Sequence, residues 1–195
     1  NAANQIPIHW SVKHQIHQTF LLDCHPSYEV LQAAYHQNHK RNLKRAMQAE
    51  LQITHEVRDD DVIAWFRSNR GQERAVSFRQ ADYERLLQLL SLLRAHHALE
   101  TWGVKDKQGR LCAAAFFPFL KGRYTFLFSG RTGDSQENRA MFYLIDQFIQ
   151  QHASSDCLLD FNGSNNPRIA LFYQGFGAER QTFCQLFVPF WKRLK

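Results

Sequence analysis

Residues 158–179 read LLDFNGSNNPRIALFYQGFGAE. An apolar strand runs into Asn162-Gly163-Ser164-Asn165-Asn166, resumes at Pro167 as a helix with one apolar face, and stops at Gly175-Phe176-Gly177. Glycine at 163 permits positive φ and a close approach by another group. Asn166 suits an N-cap. Pro167 suits the first helical position, where its missing N–H would be unpaired in any case. The N–H groups exposed at such a turn can receive a phosphate or a carboxylate. The same residues also serve a tight strand-to-helix connection with no ligand, so the stretch asks what comes close to Gly163.

On either side of this turn the pattern alternates between strand and helix. QTFCQLFV (181–188) reads as a closing strand, and Met141, Phe142, Ile145, Phe148 and Ile149 mark one face of the helix before the turn. Three strands precede that helix: ETWGVKD (100–106), LCAAAFFPFL (111–120) and RYTFLFSG (123–130), joined through Gly109 and Gly122. Pro118 cannot donate to a ladder, which predicts an edge or a bulge there. LQITHEV (51–57) alternates like a strand. Acids at 59–61 open a short helix over Val62–Asn69 that Gly71 closes, and Tyr83, Leu86, Leu87, Leu90 and Leu93 form the core stripe of a longer helix from Gln80. The order from residue 51, β-α-α-β-β-β-α-β-α-β, predicts a mixed α/β (α+β) fold: a mostly antiparallel sheet with helices on both faces.

Residues 1–24 read as extended, with apolar Ile6, Ile8, Val12, Ile16 and Phe20. Ser27 is a candidate N-cap for one helix from Tyr28 that carries Leu31, Ala34, Tyr35, Leu43, Ala46 and Met47 on its apolar side. Lys40, Arg41, Lys44 and Arg45 share the opposite face. That face is either a solvated basic surface or a stripe for a polyanionic partner such as a nucleic acid.

The 195 residues carry a net charge of +6, suited to a polyanion without requiring one. No apolar run is long enough to span a bilayer. Four scattered cysteines fit reduced thiols in a cytoplasmic setting, with Cys112 and Cys157 as inert core. The pairs His14/His17 and His36/His39 lack a carboxylate or thiol at ligand spacing, so surface histidines and no metal are expected. The opening on Asn1, without an initiator Met, suggests a piece of a longer chain.

Asn166, Ala170, Tyr173 and Gly177 fit N-x-x-x-A-x-x-Y-x-x-x-G, the fourth-helix pattern of the GNAT superfamily of N-acyltransferases, which the element order also resembles. Residues 27–188 are similar to the bacterial-type Fem (FemAB-like) branch, with a basic helix (HKRNLKRAM) ahead of the domain and FNGS…FY…FGA near its end. The resemblance implies a division into an N-terminal segment and basic helix (1–50), the tail of a missing first GNAT-like domain, and an acyltransferase domain (51–195). It implies transfer of an acyl or aminoacyl group to an amine, with acyl-CoA or aminoacyl-tRNA as donor. Tyr173 matches the family's leaving-group acid; with an ordinary pKa of about 10 it carries its proton at neutral pH. Asp160 is the candidate base or amine-binding group. Phe128, Arg131, Gly133, Arg139, Gly163, Ser164 and Asn166 are the expected donor-binding residues. The loop 131–140, RTGDSQENRA, departs from the family's glycine-rich pyrophosphate loop: it has one glycine and adds Asp134 and Glu137. That departure puts ordinary acetyl-CoA use in question. It leaves open an RNA-borne donor, an atypical acetyl-CoA enzyme, or a non-catalytic module that binds a polyanion or a sister domain.

Overall fold

The computed structural model describes residues 13–68, 78–133, 139–163 and 165–187. In chain order these form β1 (Lys13–Asp23), α1 (Tyr28–Ala33), α2 (Gln37–Gln48), β2 (Gln52–Thr54), α3 (Asp59–Ser68), α4 (Gln80–Ala95) and β3 (Leu99–Lys105). They continue with β4 (Leu111–Leu120), β5 (Arg123–Thr125), β6 (Phe128–Arg131), α5 (Ala140–His152), β7 (Leu158–Asp160), α6 (Pro167–Gln174) and β8 (Glu179–Phe187). Ile6, Ile8, Val12, Asn69, Gly71 and Ser164 lie outside the described residues.

The eight strands make one sheet in the order β2-β3-β4-β5-β7-β1-β8, with β6 also on β4. Every pairing is antiparallel except β5 with β7. This is the mixed, mostly antiparallel sheet expected. Strand β4 shows why its sequence is apolar throughout: Ala113, Ala115 and Phe117 face one core, while Ala114 and Phe116 face the other. On the first face α1, α2, α5 and α6 cover the larger core, where Phe117 stacks on Phe148 at 3.9 Å. Each fully buried aromatic there contributes roughly 1.5–3 kcal/mol. On the second face α3 and α4 pack on β3, β4 and β6 around Val62, Leu90, Ala114 and Phe116.

Three expectations need correction. The segment from Tyr28 is two helices, because His36 turns extended (φ −62°, ψ 148°) and gives its amide to the Gly175 carbonyl at 2.9 Å. That docking breaks the helix, and the buried stripe of α2 becomes His39, Leu43 and Ala46, leaving Met47 exposed. Strand 123–130 is divided into β5 and β6. Tyr124 pairs with Phe119 and Phe128 with Phe116, so four steps on one strand stand opposite three on β4. The extra residue is a β-bulge, and Pro118 lies between those two pairings, as the missing N–H requires. Finally, strand 51–57 shortens to Gln52–Thr54.

Beyond the bulge β6 stays with β4, while β5 pairs with β7 and the Phe126 amide donates to the Asp160 carbonyl at 2.7 Å. From that point β6 and the chain after β7 part company, and the sheet opens as a fork.

Candidate functional site

A cavity of about 360 Å³ lies at the fork, between the helices of the first face and α3 of the second, a size suited to a small-molecule arm. The walls come from four places. Trp65 and Phe66 come from α3, Phe126 with Ser129, Gly130 and Arg131 from the bulge and β6, Arg139 with Met141 and Phe142 from the start of α5, and Arg168, Ile169, Phe172 and Tyr173 from α6. The interior is aromatic and aliphatic. Three arginines, 131, 139 and 168, are the charged groups among the described residues of the lining.

Local chain geometry aims these groups. Thr132 N–H bonds the Cys112 carbonyl at 2.9 Å, which sets the phase of the β4–β6 ladder. The alternation then turns the backbone N–H and C=O of Ser129 away from β4, toward the opening. Gly130 is pressed against the Val62 carbonyl, leaving no room for a Cβ, so α3 sits directly on β6. Arg139, at the entry to α5, holds a left-handed backbone (φ 60°), uncommon outside glycine. Burial strips Arg131 of part of its hydration and lowers its pKa.

Asn166 caps α6, its side chain accepting from the Arg168 amide at 3.0 Å, and Pro167 opens the helix. Tyr173, 8% exposed, stacks on Phe161 at 4.8 Å with the rings 26° apart. What approaches Gly163 is the chain itself: the Gln18 carbonyl of β1 occupies the space a Cβ would need. The positive φ of the turn falls on Asn162 (54°), not on Gly163.

The structure thus gathers Arg131, Arg139 and Tyr173 in one cavity and leaves other expected residues elsewhere. Phe128 lies on the second face against Phe66 (4.4 Å). Gly133 stands beyond β6 in open space. The Asp160 carboxylate also faces away from Tyr173: it accepts from Thr19 Oγ1 at 2.6 Å, the Asn162 amide at 2.9 Å and Arg123 at 3.3 Å. On α2, Lys40 is drawn to the Ala33 carbonyl (2.7 Å), while Arg41, Lys44 and Arg45 are exposed with no acidic partner among the described residues. Trp65, Phe66, Phe142, Arg168 and Phe172 were not expected. The one available signal was Arg168-Ile169 and Phe172-Tyr173 one turn apart on a helix that follows a capped turn. His39, expected at the surface, is buried at 4% exposure. No group of three His, Cys, Asp or Glu among the described residues could hold a metal, and no described helix is long and apolar enough to cross a membrane.

A mixed sheet that forks beside a capped helix, with Asn166, Ala170, Tyr173 and Gly177 in register along it, is the GNAT-superfamily acyltransferase fold. The chain belongs to the acetyltransferase (GNAT) domain family, which matches residues 33–167. Among solved structures it is similar to FemX, with a TM-score of 0.67 at 10% identity over 87% of this chain and 61% of that one. It is similar also to the C-terminal domain (DUF2156) of a putative lysylphosphatidylglycerol synthetase from Agrobacterium fabrum, with a TM-score of 0.58 at 11% identity over 91% and 62% of the two chains. L-PGS from Bacillus licheniformis follows, with a TM-score of 0.53 at 9% identity over 92% and 64%. At these identities the likeness is one of fold, consistent with the Fem-like branch, and this chain spans under two thirds of each of those structures. No curated protein matches it in sequence.

Proposed function

We propose that the chain is a Fem-like acyltransferase that passes an acyl or aminoacyl group to an amine. One observation carries the reading: three arginines line a largely apolar cavity to which Tyr173 also contributes. Acyl-CoA and aminoacyl-tRNA share the chemistry this lining suits, phosphates near a less polar arm with an activated acyl end. In the proposal Arg131, Arg139 and Arg168 hold phosphate, and the Phe142–Phe172 wall holds the arm. The outward backbone groups of Ser129 bond an amide or the acyl carbonyl. Gly133 borders the phosphate path, Gly163 and Asn166 shape the turn, and Phe128 backs the wall through Phe66. The division into residues 1–50 and 51–195, with a first domain missing, belongs to the same proposal.

The reaction needs positioning above all. The amine nitrogen attacks the acyl carbon, the carbon–sulfur or carbon–oxygen bond breaks, and Tyr173 gives its proton to the leaving atom. The acceptor enters from the second face, where Asp160 at the base of the fork binds its ammonium and takes the proton. A donor on tRNA would extend along Arg41, Lys44 and Arg45.

Calorimetric titration with acetyl-CoA, a long-chain acyl-CoA and bulk aminoacyl-tRNA, at two salt concentrations, tests the donor. Micromolar binding of either CoA ester assigns an acyl-CoA donor. Binding of tRNA alone, lost at the higher salt and on charge reversal of Arg41, Lys44 and Arg45, assigns the RNA-borne one. Failure of all three removes the donor reading. A non-catalytic module is the second reading, favoured by Asp160 being already engaged by Thr19 and Arg123. It predicts that Tyr173→Phe and Asp160→Asn leave partner binding unchanged.

A further inference from the structure

His39 and Asp146 are the buried polar side chains among the described residues, and His39 sits behind the wall of the cavity. The His39 ring meets Phe142 edge-on at 4.9 Å and Phe176 edge-on at 4.6 Å, and lies 5.6 Å from Phe172. Phe142 and Phe172 also line the cavity. Nε2 is 2.8 Å from the Phe172 carbonyl, which fixes it as the protonated, donating nitrogen. Burial lowers the pKa of the ring and outweighs the bond to the Phe172 carbonyl, which raises it, with His36 adding to the lowering; the shift favours the neutral ring with its single N–H.

The last carbonyls of a helix have no partner within it. At the end of α6 two of them are met from α2: Phe172 by His39, and Gly175 by the His36 amide at 2.9 Å. Gly175 is glycine because a Cβ there would overlap the His39 ring. The other ring nitrogen, Nδ1, is buried without a partner. An apolar side chain would fill the same space without that penalty, so packing alone does not account for a histidine here.

We infer that His39 is a positioning residue for the cavity: from the basic helix α2 it fixes the last turn of α6, and with it the Phe142–Phe172 wall and Tyr173. The coupling is short and direct. Arg41, Lys44 and Arg45 stand on the outer side of the helix that presents His39 inward.

Amide hydrogen exchange at pH 7 on wild type, His39→Leu, His39→Gln and His39→Asn tests this. Glutamine can place an N–H where Nε2 stands; leucine has none, and asparagine is too short to reach Phe172. The inference expects the amides of Gly175, Phe176 and Gly177 to exchange about tenfold faster in His39→Leu and His39→Asn, with Leu144–Ile149 of α5 unchanged. It expects His39→Gln to stay within about twofold of wild type. Unchanged exchange in both His39→Leu and His39→Asn overturns it, as does an equal rise throughout the chain or the absence of rescue by glutamine. If His39→Leu does not fold, the asparagine–glutamine comparison decides. A parallel titration with octanoyl-CoA rests on the donor reading above and expects about tenfold weaker binding in His39→Asn, restored in His39→Gln. Unaltered affinity beside altered exchange would overturn the link to the cavity. A wild type that binds no octanoyl-CoA would instead count against an acyl-CoA donor, leaving exchange to decide this one.

Discussion

Asp160 and Tyr173 stand on opposite faces of the sheet at the same fork. Phe161 stacks on Tyr173 on the first face; one residue earlier, Asp160 bonds Thr19 and Arg123 on the second. A donor held beside Tyr173 and an acceptor held at Asp160 would meet in the gap between them. Tyr173→Phe keeps the stack on Phe161 and is expected to lower turnover about 10²-fold or more while leaving the melting temperature within a few degrees. Asp160→Asn is expected to raise the acceptor KM as well as lower turnover, and to leave donor affinity unchanged. Steady-state kinetics with each substrate varied in turn separates the two.

Gly163 and Gly133 predict opposite behaviour. A methyl at 163 meets the Gln18 carbonyl, so Gly163→Ala is expected to destabilise the chain by about 1–3 kcal/mol. A methyl at 133 meets nothing within 4 Å, so Gly133→Ala is expected to be neutral within about 0.5 kcal/mol. Urea unfolding measures both. Equal losses would mean that the approach of β1 to the turn is not the constraint on Gly163.

Glu100 ties β3 to α5 and β5. Burial by itself would raise its pKa, but hydrogen bonds from His152 (3.1 Å), Tyr124 (2.6 Å) and Trp102 (2.9 Å) outweigh that and hold the carboxyl at about 2. A depressed carboxyl pKa gives stability that is present above the ordinary value of 4.5 and lost as pH falls toward about 2. Glu100→Gln is expected to cost about 1–3 kcal/mol at pH 7 and to flatten the loss between pH 4.5 and 2. Thermal melts across that range provide the check.

Asp146 carries the opposite sign. Full burial raises its pKa, and the Tyr28 hydroxyl, 2.9 and 3.0 Å from the two carboxylate oxygens, opposes the rise only in part. With a raised folded-state pKa, the stability it contributes is complete below the unfolded value of 3.8 and declines as pH rises through the folded one. Asp146→Asn is therefore expected to be neutral or stabilising at pH 7, whereas Asp146→Ala should cost about 1–3 kcal/mol by stranding Tyr28. Denaturation midpoints at pH 4 and pH 8 distinguish the two outcomes.

Where a signal was local, the fold was legible. The run 111–120 between two glycine turns is β4 to the residue, and Asn166-Pro167 opens α6 where the cap and the proline require. Where the cause lay far along the chain, it was not. Phe126, Leu127 and Phe128 carry no signal of their own: Pro118 announced an edge or a bulge, but which residue of the facing strand is the extra one depends on the pairing. The break at His36 exists because Gly175 accepts its amide. The cavity was legible in the same uneven way: Arg131, Arg139 and Tyr173 lie in segments that carry a pattern, whereas Trp65 and Phe66 come from a helix whose sequence says only that it is short and half apolar. Gly163 was picked out as a site of close approach, but its neighbour, Gln18, is remote in sequence.

The pairing of β1 also has a consequence in time. Asp23 faces Leu158 and Phe20 faces Arg180, so the first described strand waits for nearly the last before its ladder can close. Ribosomal synthesis at roughly 5–20 residues per second leaves β1 without those partners for on the order of 10 s. During that interval Phe20, Leu21 and Leu22, all buried in the finished sheet, are available to the wrong strand or to a chaperone. The half of the sheet that holds Asp160 is thus the last to have all of its strands synthesised.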